Sequence, residues 1–195
     1  MPLSERHSRL SEELEQLELL TKESTILRID YEGPSPNRYQ VYLTGQSAHE
    51  DYLNEHELSV WLHVDYPQSA PEVRFVTPLF HPNVARSGLV DLTQCGIAWQ
   101  PTIMLTHVLA RMWDVARLAY VDLDKVANEA AGNWFRTQRE IPLPVDSRAL
   151  RNAWEFRWSE LQHHVEPIPT KKADAKGQLP PRRDRLGDED IVFLD

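Results

Sequence analysis

The chain has 195 residues, a formal net charge of −9 and 41% hydrophobic residues, which is typical of one globular domain with an extension. No apolar stretch approaches the ~20 residues of a membrane-spanning helix, so we expect no membrane contact. The acidic balance argues against a nucleic-acid partner. A single cysteine, Cys95, excludes an internal disulfide and an all-cysteine metal cage. We therefore expect a cytoplasmic protein with no metal site and no cofactor.

The first half of the chain predicts a helix followed by four strands. Leu10, Leu14 and Leu17 recur at helical spacing. Apolar residues then recur in four short runs separated by turns that contain glycine or proline, which indicates an antiparallel meander. The residues that predict these strands are Ile26, Leu27 and Ile29; Tyr39, Val41 and Leu43; Leu58, Val60 and Leu62; and Val73 and Phe75.

The second half begins with a long segment, Phe80 to Pro101, that has no clear period. Irregular segments of this length in a compact domain are often functional. Helical spacing returns after it and predicts helices over 106–120, 125–138 and 147–164. Because the predicted strands come before these helices along the chain rather than alternating with them, we expect an α+β fold with an antiparallel sheet. We expect a domain over 1–164 and a flexible charged tail over 165–195.

Over roughly residues 8–139, four motifs resemble those of ubiquitin-conjugating enzymes in order and spacing. The short spacer and the ending NEAAGNW, residues 128–134, also resemble the compact conjugating-enzyme-like proteins of bacteria. The resemblance implies the UBC-like fold with an active-site-type loop, and a ubiquitin-like protein or its activating or ligating enzymes as partners. The motifs are Tyr66-Pro67 with Pro71 before the fourth strand; His81-Pro82-Asn83; Trp99-Gln100-Pro101; and Asn128-Glu129-Ala130-Ala131, with Ala127 replacing the usual leucine.

One position departs from the family pattern. The catalytic cysteine of the family lies ten residues after the motif histidine, and here that position is Asp91, with the register fixed by His81 and Trp99. A thiolate is a strong nucleophile and a good leaving group in thioester exchange. An exposed carboxylate is ionised at neutral pH and hard to acylate. The resemblance therefore predicts a variant without the conjugating reaction, which acts as a binding or scaffold subunit.

Three residues of the long segment have alternative interpretations. Cys95 is either a displaced nucleophile, which would make the chain an active conjugating enzyme, or a buried apolar side chain, which we favour. The resemblance makes Asn83 an oxyanion donor, whereas the alternative that we favour is an amide bonded to loop backbone. We expect His81 to be a buried histidine bonded to loop carbonyls rather than a base.

Two further segments are candidate partner-binding sites. The family binds partners through its first helix. Residues 187–195 place four hydrophobic residues between acids, a pattern that can add as a strand to a sheet edge, of this chain or of a partner. On the first helix the expected partner face carries Glu5, Arg6, Arg9, Glu12 and Glu13. In the last segment the predicted partner-binding residues are Ile191, Val192, Phe193 and Leu194.

Overall fold

The computed structural model describes residues 3–46 and 54–150 of the chain. Within these residues one sheet is preceded by a helix and followed by two more helices, so the α+β class that the sequence predicts is confirmed. The elements are α1 (Leu3–Glu23), β1 (Leu27–Tyr31), β2 (Arg38–Thr44), β3 (Glu55–Trp61), β4 (Glu72–Phe75), β5 (Leu89–Val90), α2 (Leu105–Ala116) and α3 (Glu129–Thr137).

The strands form a single antiparallel sheet in the order β1-β2-β3-β4-β5. Successive side chains of a strand point to opposite faces, and one face of this sheet is buried, as the alternating pattern predicts. The core joins that face to the leucines of α1 and the apolar face of α2. Its largest fully buried side chains are Trp113, Tyr39 and Tyr66.

The fifth strand corrects the sequence prediction that the segment from Phe80 to Pro101 is irregular throughout. Leu89 pairs with Arg74 and Val90 pairs with Val73, which adds β5 to the edge of β4. A strand of two residues is too short to show a period in the sequence. The sheet therefore extends to within one residue of Asp91.

Two helix boundaries also differ from the prediction. The helix predicted from residue 125 begins at Glu129, because the amides of Ala127 and Asn128 donate to the carbonyl oxygen of Pro82 at 2.7 and 3.0 Å. The side chain of Asn128 then accepts a hydrogen bond from Ala131 N and caps the helix. The helix predicted to reach residue 120 ends at Ala116, shortly before Leu118 adopts a positive φ of 58°.

The last predicted helix, over 147–164, is described only in its first four residues, and residues 147–150 are not helical. Residues 151–164 and the predicted tail, including Ile191 to Leu194, lie outside the described residues. Among the helices in the described part of the chain, none has both the length and the apolar character to cross a bilayer.

The N-terminus of α2 is capped by a residue of α1. The N-cap residue, Met104, makes no side-chain hydrogen bond to the helix. Instead the backbone amide of Leu105 donates to Glu13 Oε2 at 2.8 Å. The other oxygen, Oε1, accepts from Arg9 Nε at 2.9 Å and from the hydroxyl of Tyr66. Because a carboxylate is favourable at a helix N-terminus, one side chain joins α1, α2 and the loop after β3.

This network corrects the partner face predicted for α1. Glu13 is fully buried, and Arg9 donates to the carbonyl oxygen of Ile103 at 2.6 Å as well as to Glu13. Arg6 donates to the backbone of the loop after β3. Only Glu5 and Glu12 of the predicted face are exposed. Helical spacing could not reveal this, because the residues that cover Glu13 come from elsewhere in the chain.

We predict that Glu13→Ala lowers the free energy of unfolding by about 3 kcal/mol, because it leaves Arg9 and the amide of Leu105 without their buried acceptor. Urea denaturation followed by circular dichroism measures the change. The matched control is Glu12→Ala, one residue earlier and exposed, which we expect to change it by less than about 0.5 kcal/mol. Equal effects of the two substitutions would contradict the capping role of Glu13.

Candidate functional site

Asn83 is the most heavily hydrogen-bonded side chain of the motif segment. It is fully buried. Its Nδ2 group donates to the carbonyl oxygens of Asp122 and Lys125 at 2.6 and 2.7 Å, and its Oδ1 accepts from the amide of Asp122 at 2.8 Å. An amide side chain has two N–H donors, and in this structure both point at backbone carbonyls.

His81 is buried beside Asn83 and is neutral. The amide of Asn83 donates to His81 Nδ1 at 3.0 Å, and Nε2 lies 3.0 Å from the carbonyl oxygen of Tyr120. Since a carbonyl can only accept, Nε2 carries the proton. Burial lowers the pKa of His81 to about 4, although the hydrogen bond to Tyr120 opposes the shift. The ring has no free nitrogen to act as a base.

Asp91 follows β5 directly and begins a tight turn. Its Oδ1 accepts from the amide and the hydroxyl of Thr93 at 2.9 and 2.6 Å, and its carbonyl oxygen accepts from the amides of Gln94 and Cys95. The hydrogen bond from the Thr93 hydroxyl holds the pKa of Asp91 below its usual range, with help from the nearby charge of Lys125. The side chain is exposed and ionised at neutral pH.

Cys95 lies inside the same turn with its sulfur in the core. Its side chain is fully buried, and Sγ lies 3.8 Å from the carbonyl oxygen of Asn83. Burial raises the pKa of Cys95 to about 12, and the negative charge of Asp91 adds to the shift. At pH 7 only about one thiol in 10⁵ would be a thiolate.

Trp99 and Pro101 lie between this turn and α2. Trp99 Nε1 donates to the carbonyl oxygen of Pro67 at 2.9 Å, and its ring lies 5.7 Å from the ring of Tyr66. Pro101 is exposed in a turn closed by the hydrogen bond from the amide of Ile103 to the carbonyl oxygen of Gln100. The Trp-x-Pro segment thus joins the site to the network around Glu13.

Sequence reasoning missed the segment 120–125, which supplies most of the groups that surround the motif. Its backbone binds both His81 and Asn83, and Lys125 Nζ lies 3.5 Å from the carbonyl oxygen of Thr93. The ring of Tyr120 also packs on Gly96, where a Cβ atom would come within 2.7 Å of the Tyr120 hydroxyl and φ is +77°. Gly96 was the available signal, since a close approach at positive φ needs glycine.

The arrangement places an ionised carboxylate where the family resemblance puts the nucleophile. The nearest thiol is buried and protonated, and the motif amide is bonded to backbone. Within the described residues no group of three or more His, Cys, Asp or Glu side chains is placed to hold a metal ion. Asp91 can accept hydrogen bonds or pair with a cation, but it offers no thiolate.

The family profile of ubiquitin-conjugating enzymes matches residues 9–142 of the chain. This range contains the whole sheet, α2, α3 and every motif residue described above. The chain therefore belongs to the ubiquitin-conjugating enzyme family.

Individual members of the family are similar to this chain at modest identity. Ubiquitin-conjugating enzyme E2 13 of Saccharomyces cerevisiae is 33% identical over 103 residues, which cover 52% of this chain and 65% of the yeast protein. Ubiquitin-conjugating enzyme E2 N of Drosophila melanogaster is 30% identical over 118 residues, or 60% of this chain and 72% of the fly protein. Ubiquitin-conjugating enzyme E2 13 of Schizosaccharomyces pombe is 30% identical over 129 residues, or 66% and 73% of the two chains.

We predict that Cys95 reacts with a thiol reagent at least about 1,000-fold more slowly in the folded chain than in urea, because burial and the raised pKa remove the thiolate. Absorbance of the released thionitrobenzoate measures the rate. The control is Asp91→Cys in a Cys95→Ser background, whose exposed thiol should react quickly in the folded state. Fast labelling of Cys95 in the folded chain would overturn the prediction.

Proposed function

We propose that this chain is a catalytically inactive member of its family, which acts as a binding or scaffold subunit in a ubiquitin-like modification pathway. The observation that carries the proposal is Asp91, the residue at the position where the family resemblance places the catalytic cysteine. A carboxylate would form a mixed anhydride with the modifier, which water hydrolyses and which thioester exchange does not favour. The low pKa of Asp91 further opposes its acylation.

The alternative is an active conjugating enzyme that uses Cys95 as the thioester nucleophile. The geometry of the turn opposes it, because the sulfur is buried under the carbonyl of Asn83. Bringing this sulfur to a modifier would require the turn after Asp91 to open, which breaks the bonds from Gln94 and Cys95 to Asp91. Misplacement of a nucleophile by about 1 Å can already cost a hundredfold in rate.

Asn83 and His81 have structural roles in this proposal. An oxyanion donor needs a free N–H group preorganised toward the reacting oxygen. Both N–H groups of Asn83 instead donate to the 122–125 backbone, which supports the interpretation of this residue as a loop anchor. His81 aligns the amide of Asn83 and has no proton-transfer role.

The proposed partners are a ubiquitin-like protein or its activating or ligating enzymes, since the relatives carry the name of ubiquitin-conjugating enzymes. The segment from Ile191 to Leu194 is the proposed contact with the modifier, by addition to a sheet edge of the partner. The single cysteine supports a cytoplasmic location, because disulfide frameworks belong to oxidising compartments. The likeness to compact bacterial members rests on the short spacer and on residues 128–134, and it is part of the same proposal.

The test is calorimetric titration of ubiquitin, and separately of its activating enzyme, into the full chain. We expect binding of at least one of them. For ubiquitin we expect Phe193→Ser to weaken the complex by about 30-fold, the cost of losing a buried aromatic contact. The matched control is Gln178→Ser, also in the predicted tail over 165–195 but outside the proposed contact, which should leave the affinity unchanged. If neither protein binds, the link to the modification pathway is wrong and a structural adaptor without that link is favoured.

A further inference from the structure

The two edge strands of the sheet differ in what lies beside them. Val84 pairs with Val90, and the amide of Ala85 donates to the carbonyl oxygen of Leu89, so the outer side of β5 is occupied. Within the described residues β1 (Leu27–Tyr31) pairs with β2 and with no other strand. It is five residues long and contains no proline, so its backbone can pair with a further strand.

The hydrogen-bonding pattern of the sheet shows which backbone groups of β1 face outward. The amide of Thr44 on β2 donates to the carbonyl oxygen of Ile26 at 2.9 Å. Because bonded residues alternate along an antiparallel pair, the register makes Arg28 and Asp30 the next residues of this chain bonded to β2. The N–H and C=O groups that point away from β2 therefore belong to Leu27, Ile29 and Tyr31, and no hydrogen bond among the described residues uses them.

Arg28 and Asp30 form an exposed ion pair on the face of β1 away from the core. Arg28 Nη1 donates to Asp30 Oδ2 at 2.6 Å, and the guanidinium carbon lies 3.6 Å from the centre of the Tyr42 ring. Each side chain of the pair is 55% exposed. A guanidinium has five N–H donors and a carboxylate has two acceptor oxygens, so each partner can bind a second opposite charge.

The sequence of β1 is complementary to a second copy of itself in antiparallel orientation. With Ile29 on a two-fold axis, Arg28 lies opposite Asp30 of the partner subunit. The outward groups of Ile29 then bond across the axis, and those of Leu27 bond to Tyr31 of the partner subunit. The charged pairs fall at non-hydrogen-bonded positions, where opposing side chains are closest.

The charges select this register among those that the backbone allows. A symmetric pair that uses the outward groups needs its axis at residue 28, 29 or 30, because the face of the strand must be kept. An axis at Arg28 places two arginines opposite each other, and an axis at Asp30 places two aspartates opposite each other. Like charges at opposing positions are destabilising, so only the axis at Ile29 satisfies both the backbone and the side chains.

We propose that β1 pairs with β1 of a second copy of this chain to form a symmetric dimer with a continuous sheet. The contact is small, and the net charge of −9 on each copy opposes association, so the dimer is weak and reversible. The two Asp91 turns lie beyond the outer strands of this sheet, about nine strand spacings or ~43 Å apart. The inference does not depend on the proposed function, since both surfaces belong to this chain.

The first test is sedimentation equilibrium of the full chain over a range of concentrations. The salt is held at about 0.15 M, where the Debye length is about 8 Å and the repulsion between copies is screened. We expect the mean mass to rise from that of a monomer at about 1 μM toward that of a dimer at about 300 μM, as a weak interface requires.

Two charge reversals test the pairing of Arg28 with Asp30. Arg28→Asp and Asp30→Arg each place like charges opposite each other, so each variant alone should dimerise at least about tenfold more weakly. An equimolar mixture of the two variants has opposite charges at every position, and it should form a heterodimer that native mass spectrometry identifies by its mass. The matched control is Arg74→Asp, the same change at an exposed position of β4, which should leave dimerisation unchanged.

Amide hydrogen exchange locates the interface within β1. The outward amides of Ile29 and Tyr31 should exchange quickly in the dilute chain and slowly at high concentration. The amides of Arg28 and Asp30 should exchange slowly at both concentrations, because they face β2.

Four results would overturn the proposal. The first is the mass of a monomer at every concentration. The second is dimerisation of Arg28→Asp and Asp30→Arg alone as strong as that of the natural chain. The third is a mixture of the two variants that forms no heterodimer. The fourth is slow exchange of Ile29 and Tyr31 in the dilute chain, because another segment of the same chain would then occupy the edge.

Discussion

The geometry of the candidate site depends on the three hydrogen bonds that the buried side chain of Asn83 makes to the backbone of residues 122–125. These bonds tie the segment before β5 to the segment before α3, and the amides of Ala127 and Asn128 reinforce them by donating to Pro82. A buried amide without these partners would cost about 1–3 kcal/mol. Asn83 therefore has a sufficient structural reason to be present, whether or not chemistry occurs beside it.

The turn after β5 accommodates a carboxylate at Asp91 within the family's framework, as the proposed loss of the conjugating reaction requires. Asp91 binds Thr93 and supplies its carbonyl oxygen to the next two amides, so its charge stabilises the turn that buries Cys95. Burial raises the pKa of that thiol, and the same carboxylate adds to the shift. Asp91 thus occupies the position where the family resemblance places the nucleophile, and its charge also disfavours ionisation of Cys95. The carboxylate of Asp91 remains exposed, where it can pair with a cation of the proposed partner.

The sheet could be predicted from the sequence, whereas several contacts that build the site could not. The alternation of apolar and polar residues is a local signal. It therefore predicts β2 from residues 39–43 and β3 from residues 58–62. Asn83 meets Asp122 across 39 residues of chain, and no local pattern contains that pairing. The prediction that Glu13 lies on an exposed partner face was wrong for the same reason. Helical spacing predicts which side of α1 a residue lies on, but it cannot show that the amide of Leu105 lies there and needs an acceptor. Asp91 was found only through the register of the flanking motifs.

Thioester formation is the most direct measurement of whether Asp91 has abolished the conjugating reaction. The full chain is mixed with ubiquitin, its activating enzyme and ATP, and is resolved on a non-reducing gel beside Cys95→Ser and Asp91→Cys. We expect no thiol-sensitive adduct from the natural chain, and an adduct from Asp91→Cys because the surrounding framework is intact. An adduct from the natural chain that disappears in Cys95→Ser would contradict this, and would make the protein an enzyme with a relocated nucleophile.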